Sequence, residues 1–240
     1  MRVVTVRDAG EVASRAAGII AGVVRGKPAV RLGLPTGATP IGAYAELARL
    51  AADGGADFSR ATGYAIDEFV CGEGEGPGTN AAYYRQHLRL PLGGLHAPDA
   101  SAADPEAHIR AYAEGVREGG GLDLCVLGVG VNGHIAFNEP GAERDARARV
   151  VELTETTRTA HAAAFGGIER VPRRGMTLGV AEILEARALL VLATGGQKAG
   201  AVRRAVEEEP SAETPASWLR GHADVTWLID EAAAAGLRQG

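Results

Sequence analysis

Short, nearly uninterrupted apolar runs alternate along the chain with longer stretches whose apolar residues recur every three or four positions. The runs are RVVTV (2–6), PAVRLGL (28–34), ATGYAI (61–66), LDLCVLGV (122–129), ALLVLAT (188–194) and DVTWLID (224–230). Their length and continuity predict strands buried on both faces. Between them, DAGEVASRAAGIIAGVVRG (8–26) reads as a helix with Asp8 as its N-cap. TPIGAYAELARLAADGG (39–55) reads as another, with Pro40 in the first turn. TNAAYYRQHL, DPEAHIRAYAEGVREG, GQKAGAVRRAVEE and IDEAAAAGL complete the helical set. Regular strand–helix alternation predicts an α/β fold: an open, mostly parallel sheet with helices on both faces.

Composition narrows the picture without changing it. A chain of 240 residues, 46% hydrophobic, can enclose a sizeable core. No internal repeat or long linker divides it, so residues 1–240 are read as a single domain. The glycine-rich stretch CGEGEGPGTN (71–80) is read as a mobile loop. The net charge of −5 is spread among interspersed acids and bases. With no basic block, nucleic acid is not an expected partner. No apolar window approaches the length of a membrane span. Cys71 and Cys125 form no disulfide framework, which suits reduced thiols in a cytoplasmic protein.

Ligands of open parallel sheets gather at the carboxyl ends of the strands, so the segment after each run is the place to look for chemistry. After the second comes PTGATP, where Thr36, Gly37, Ala38 and Thr39 lead into a helix. Small residues at a helix start either cradle a phosphate or form a tight turn capped by Thr39. No Walker lysine is present, which disfavours a nucleoside triphosphate. After the third run, Asp67 and Glu68 stand side by side. Asp67, nearest the strand tip, is a candidate base for a proton on carbon next to a carbonyl or imine, against the plainer role of bonding local backbone. After the fourth comes GVNGHIAFNEP, with His134 and Glu139. A carboxylate can hold such an imidazole in one orientation for proton transfer; a turn-capping histidine is the alternative. After the fifth, GGQK puts Lys198 in the first turn of a helix, where the dipole disfavours a cation unless an anion joins it.

The stretches LGLPTGATP, IDEFV, LGVGVNGHIAFNEPG, MTLGVAEIL, GGQKAGAV and PASWLRGHADVTWLID together resemble the glucosamine-6-phosphate deaminase (isomerase) family. The related 6-phosphogluconolactonases share the Gly–His pair, here Gly133 and His134, but continue differently after it. The resemblance implies a Rossmann-like fold, with neither metal nor cofactor. It implies conversion of glucosamine 6-phosphate to fructose 6-phosphate and ammonia, an isomerase reaction of amino-sugar metabolism classed among the hydrolases. By match to its motifs, Asp67 would move a proton between C2 and C1. His134 would assist ring opening, supported by Glu139. Thr36, Gly37, Ala38, Thr39 and Lys198 would hold the phosphate.

Several positions depart from the family pattern. Asn132 stands where some members carry Asp, so His134 is left with Glu139 as its carboxylate. Ala163 stands where the family usually has an arginine that contacts phosphate, with Arg158, Arg173 or Arg174 as possible replacements. Ala38 replaces a glycine and Phe69 a tyrosine. The allosteric hexamer of longer members is not expected; a monomer or small homo-oligomer is. The alternatives are a deaminase of another amino sugar such as galactosamine 6-phosphate, a lactonase-type hydrolase, and a non-enzymatic sugar-phosphate sensor. The absence of a basic helix-turn-helix before the first strand counts against the sensor.

Overall fold

Each of the six apolar runs forms a strand, and all six join one seven-stranded sheet. The structure, a computed structural model, describes residues 1–72 and 76–238. Of the stretch 71–80 read as mobile, residues 73–75 lie outside the described residues. The chain opens with β1 (Arg2–Val6), α1 (Ala9–Gly26), β2 (Arg31–Leu34), α2 (Ile41–Ala52), β3 (Thr62–Ala65) and β4 (Asp67–Phe69). It continues through α3 (Asn80–His87), β5 (Gly94–His96), α4 (Pro105–Glu118), β6 (Leu124–Gly128), β7 (Arg149–Glu152) and α5 (Glu155–Phe165). β8 (Arg174–Thr177), α6 (Val180–Leu184), β9 (Leu189–Ala193), α7 (Ala199–Glu207), β10 (Val225–Asp230) and α8 (Glu231–Ala234) complete it.

The main sheet runs β1-β10-β9-β6-β2-β3-β5, with every pairing parallel. Alternation along each strand divides the core between its two faces. Leu124 and Val126 of β6 pack with α1, α2 and Tyr84 of α3, while Cys125 and Leu127 face α4, α6, α7 and α8. β9 divides the same way, Leu190 and Leu192 on one side and Leu189, Val191 and Ala193 on the other. Asp8 caps α1 as its position predicts, accepting a hydrogen bond from the Glu11 N–H. α2 begins just after Pro40 with no side-chain cap, so Thr39 is not an N-cap.

A smaller antiparallel sheet, β4-β8-β7, was not apparent from the pattern. β4 continues directly from β3 and turns onto β8, pairing Asp67 with Thr177. Phe69, Phe137, Leu153 and Val171 form a separate apolar cluster beneath it.

From β2 the chain builds outward in one direction through β3 and β5. It then returns to place β6 on the other side of β2 and continues to β9 and β10. The order reverses between β2 and β6, which is where ligands of such sheets bind.

Candidate active site

β9, β6, β2 and β3 are neighbours in the sheet, so the loops after these four strands leave one edge of the molecule side by side. The loop after β6 is shaped around an imidazole. Gly130 donates to the His134 carbonyl, and a Cβ at Gly130 would fall inside the His134 ring. Gly133 sits at φ +92°, with Thr214 packed against the place a side chain would occupy. Ala136 holds a left-handed φ of 49°, the one such non-glycine among the described residues. Asn138, fully buried, anchors the bend by donating to the carbonyls of Ile135 and Leu178.

His134 Nδ1 lies 3.6 Å from Glu139 Oε2 and 3.3 Å from Thr157 Oγ1. Asn132 braces both partners: its Nδ2 donates to Glu139 Oε2 at 2.9 Å, and its Oδ1 accepts from the His134 N–H at 3.2 Å. Burial alone would raise the Glu139 carboxyl. Hydrogen bonding and charge from His134, with Thr157 and Asn132, override it and hold Glu139 at about 2. The carboxylate therefore stays ionised under the imidazole at any working pH.

Asp67 opens β4, two residues beyond the end of β3, with only 6% of its surface exposed. Burial and the neighbouring charge of Glu68 push its carboxyl up to about 8, opposed by a hydrogen bond from Asn80. A carboxyl poised there can accept a proton from carbon and return it. Glu68 points elsewhere. Fully buried, it accepts from the N–H groups of Phe69, Asn80 and Ala81 at 2.7–2.8 Å, fastening the start of α3 to β4.

The loop after β2 is held by phenols rather than by a helix cap. Tyr44, Tyr83 and Tyr84 donate to the carbonyls of Pro35, Gly37 and Leu34 at 2.6–2.7 Å. With the carbonyls turned inward, Thr36, Gly37, Ala38 and Thr39 remain at least partly exposed. On the far side, the Gly195 N–H donates to both oxygens of buried Asp230 at 3.0 Å, fixing the turn ahead of Lys198. Lys198 is half-buried and makes no side-chain hydrogen bond or ion pair with the described residues. Burial lowers its pKa. An unpartnered, partly desolvated ammonium ahead of α7 has the chemistry to attract an anion.

Arg158 is not brought into this cluster. Its guanidinium donates to the carbonyls of Ile168 and Val171, closing the corner after α5. Ala163 lies exposed on α5, and Arg173 and Arg174 are exposed at the start of β8. Three site residues carried no distinguishing signal in the sequence. Asn80 is buried at 2% exposure between Asp67 and Thr36, yet reads as an ordinary helix start. Thr157, buried at 1% exposure, is one threonine of a polar run, TETTRT, that nothing in the sequence sets apart. His161, one turn further along α5, packs edge-on against Phe69 at 5.1 Å. Burial, with His134 nearby, pushes His161 down to about 4, so it is a neutral imidazole. Among the described residues no three His, Cys, Asp or Glu side chains converge closely enough to share a metal ion.

Comparison with known proteins identifies the family. Residues 7–227 match the family described as glucosamine-6-phosphate isomerases/6-phosphogluconolactonase. The glucosamine-6-phosphate deaminase of Arthrobacter sp. (strain FB24) is 41% identical, over 99% of this chain and 93% of that one. The protein of the same name from Rhodopirellula baltica is 43% identical, over 95% of this chain and 93% of its own. A solved monomeric glucosamine-6-phosphate deaminase superposes with a TM-score of 0.94 at 37% identity, covering 98% of this chain and all of that one. The 6-phosphogluconolactonase of Leishmania guyanensis, 99% covered in each direction, gives 0.78 at 21% identity and shares the fold alone. The expected class of hydrolase is corrected by these likenesses: the full-length relatives near 40% identity are deaminases, and the hydrolases stand at the distance of the fold. The chain belongs to the glucosamine-6-phosphate isomerase/6-phosphogluconolactonase family, as an enzyme on its deaminase side.

Proposed function

We propose that this enzyme converts glucosamine 6-phosphate to fructose 6-phosphate with release of ammonia. The observation that carries the proposal is Asp67: a buried carboxyl, raised to about 8, at the tip of the strand next to the phosphate loop. The substrate's phosphate is held by Lys198 and the N–H groups around Thr36, Gly37, Ala38 and Thr39. His134, oriented by Glu139 with Asn132 and Thr157, delivers a proton to the ring oxygen as the C1–O5 bond breaks and the O1 hydroxyl gives up its proton to water. Asp67 then takes the proton from C2 of the open aldehyde form and returns it to C1. O1 gains a proton as the amine nitrogen gives one up, and the double bond moves from C1–O to C2–N, leaving a ketimine. Water adds at C2, its proton passes to the nitrogen, ammonia departs, and the ketone remains. The chain supplies the acid for ring opening in His134 and the base for the carbon proton in Asp67.

Residues 1–240 act as one unit, without metal or cofactor, as a monomer or small homo-oligomer in the cytoplasm. Two free cysteines suit a reducing compartment, and no helix among the described residues is long and apolar enough to cross a membrane. Ala163 offers no charge and Arg158 is committed to backbone carbonyls, so Lys198 is the cation this reading assigns to the phosphate.

The test is ammonia release from glucosamine 6-phosphate, galactosamine 6-phosphate and unphosphorylated glucosamine, with fructose 6-phosphate measured in parallel. Equal ammonia and fructose 6-phosphate from the first substrate is the expected result. Release from the second alone selects the isomer, and no release from any of the three overturns the proposal.

A further inference from the structure

The α3 helix touches both halves of the site. Asn80, its first residue, donates from Nδ2 to Asp67 Oδ1 at 2.6 Å and to the Asp67 carbonyl at 3.0 Å. Its Oδ1 accepts from the Thr36 hydroxyl at 3.0 Å. The carboxamide cannot be reversed. A backbone carbonyl only accepts, so the NH2 end must face Asp67, and the oxygen is left for Thr36. One turn on, Tyr83 and Tyr84 grip the carbonyls of Gly37 and Leu34 in the same loop.

We propose that Asn80 is a positioning residue that ties the phosphate loop to the base, its carboxamide taking the Thr36 hydroxyl at one end and holding the Asp67 carboxyl at the other. The proposal rests on Asp67 being the base of the reaction above. The consequence is that loop and base are set together. A donor aimed at the carboxylate favours its ionised form, which burial opposes. The other titratable groups interacting with Asp67 offer no help. Glu68 repels its charge, and Tyr44, Tyr84, Tyr112 and Cys125 are all pushed up by burial and remain neutral. Asn80 is thus the group that keeps the base available.

Two readouts test this: the pH profile of kcat/KM, and the titration of the Asp67 carboxyl followed by carbon-13 NMR in the resting enzyme. In Asn80→Ala the acid limb and the NMR titration should both move up by about one pH unit. The rate should then fall about tenfold at neutral pH and recover in alkali, since each unit is tenfold in ionised base. Thr36→Val should shift both in the same direction, and Thr36→Ser should restore the wild-type profile. A uniform loss of rate with an unmoved limb and an unmoved titration would overturn the proposal. If Asn80→Ala does not fold, the Thr36 pair decides by the same readouts. If wild type releases no ammonia from any amino-sugar phosphate, the functional reading fails, and the NMR titration still decides the role of Asn80.

Discussion

Asp67 and Glu139 are both buried acids, and their surroundings drive them in opposite directions. Asp67, up at about 8 against 3.8 when free, binds a proton more tightly in the folded state. Folding stability is therefore fully present below the free value and falls as pH rises towards 8. Asp67→Asn should lower kcat by about 10²–10⁴-fold. It should also raise the melting temperature at neutral pH, with the gap closing as pH falls to about 4, measurable by paired melts across pH. Wild type gaining on the variant as pH rises would sink the assignment. Glu139 behaves inversely: depressed to about 2 from 4.5, its contribution is full above the free value and fades below it. Glu139→Gln should slow ring opening more than the later steps, so a substrate presented as the open aldehyde should recover most of the rate. It should also erase part of the loss of stability that wild type shows in acid below about pH 4. The two acids were legible from the sequence because each ends or trails an apolar run. Their partners Asn80, Thr157 and His161 were not, since an Asn after a Thr cap or a His among alanines looks like any surface helix.

At the scale of elements, α3 is legible in the stretch TNAAYYRQHL, whereas α5 is not legible at all. α3 has little amphipathic pattern, burying Asn80 and Tyr84, and is held by directed polar contacts to β4, to the end of β2 and to the loop that follows it. α5 buries only Thr157 and has no apolar stripe to announce it. β5, with three residues of which two are exposed, and the short strands β4, β7 and β8 likewise lack an apolar run long enough to be seen. Long buried strands advertise themselves, whereas short strands and a helix without an apolar stripe do not. Glu68→Gln tests α3 directly. Losing a charged acceptor for backbone N–H groups should cost about 1–3 kcal/mol by chemical denaturation. Removing the charge that pushes Asp67 up should move the acid limb of kcat/KM to lower pH, opposite to the shift expected of Asn80→Ala. A limb that stays in place would show that Glu68 does not govern the base.

For the molecule as a whole, the site is a property of strand order. Residues 36, 67, 134 and 198 are far apart in the chain and come to one edge because β2, β3, β6 and β9 are neighbours. The sequence revealed the strands and the loops after them, but adjacency had to come from the sheet. Lys198→Met, which keeps the length and apolar stem while removing the charge, should weaken inhibition by inorganic phosphate and raise KM about tenfold or more, with a smaller change in kcat. Unchanged phosphate inhibition would remove Lys198 from the anion site. The same strand order bears on how the protein is made. Among the described residues β1 pairs with β10 alone, so it waits for β10 to leave the ribosome before it has a neighbour. Until then its unpaired backbone is open to whatever it meets, and a product truncated before Val225 leaves that strand permanently unpaired.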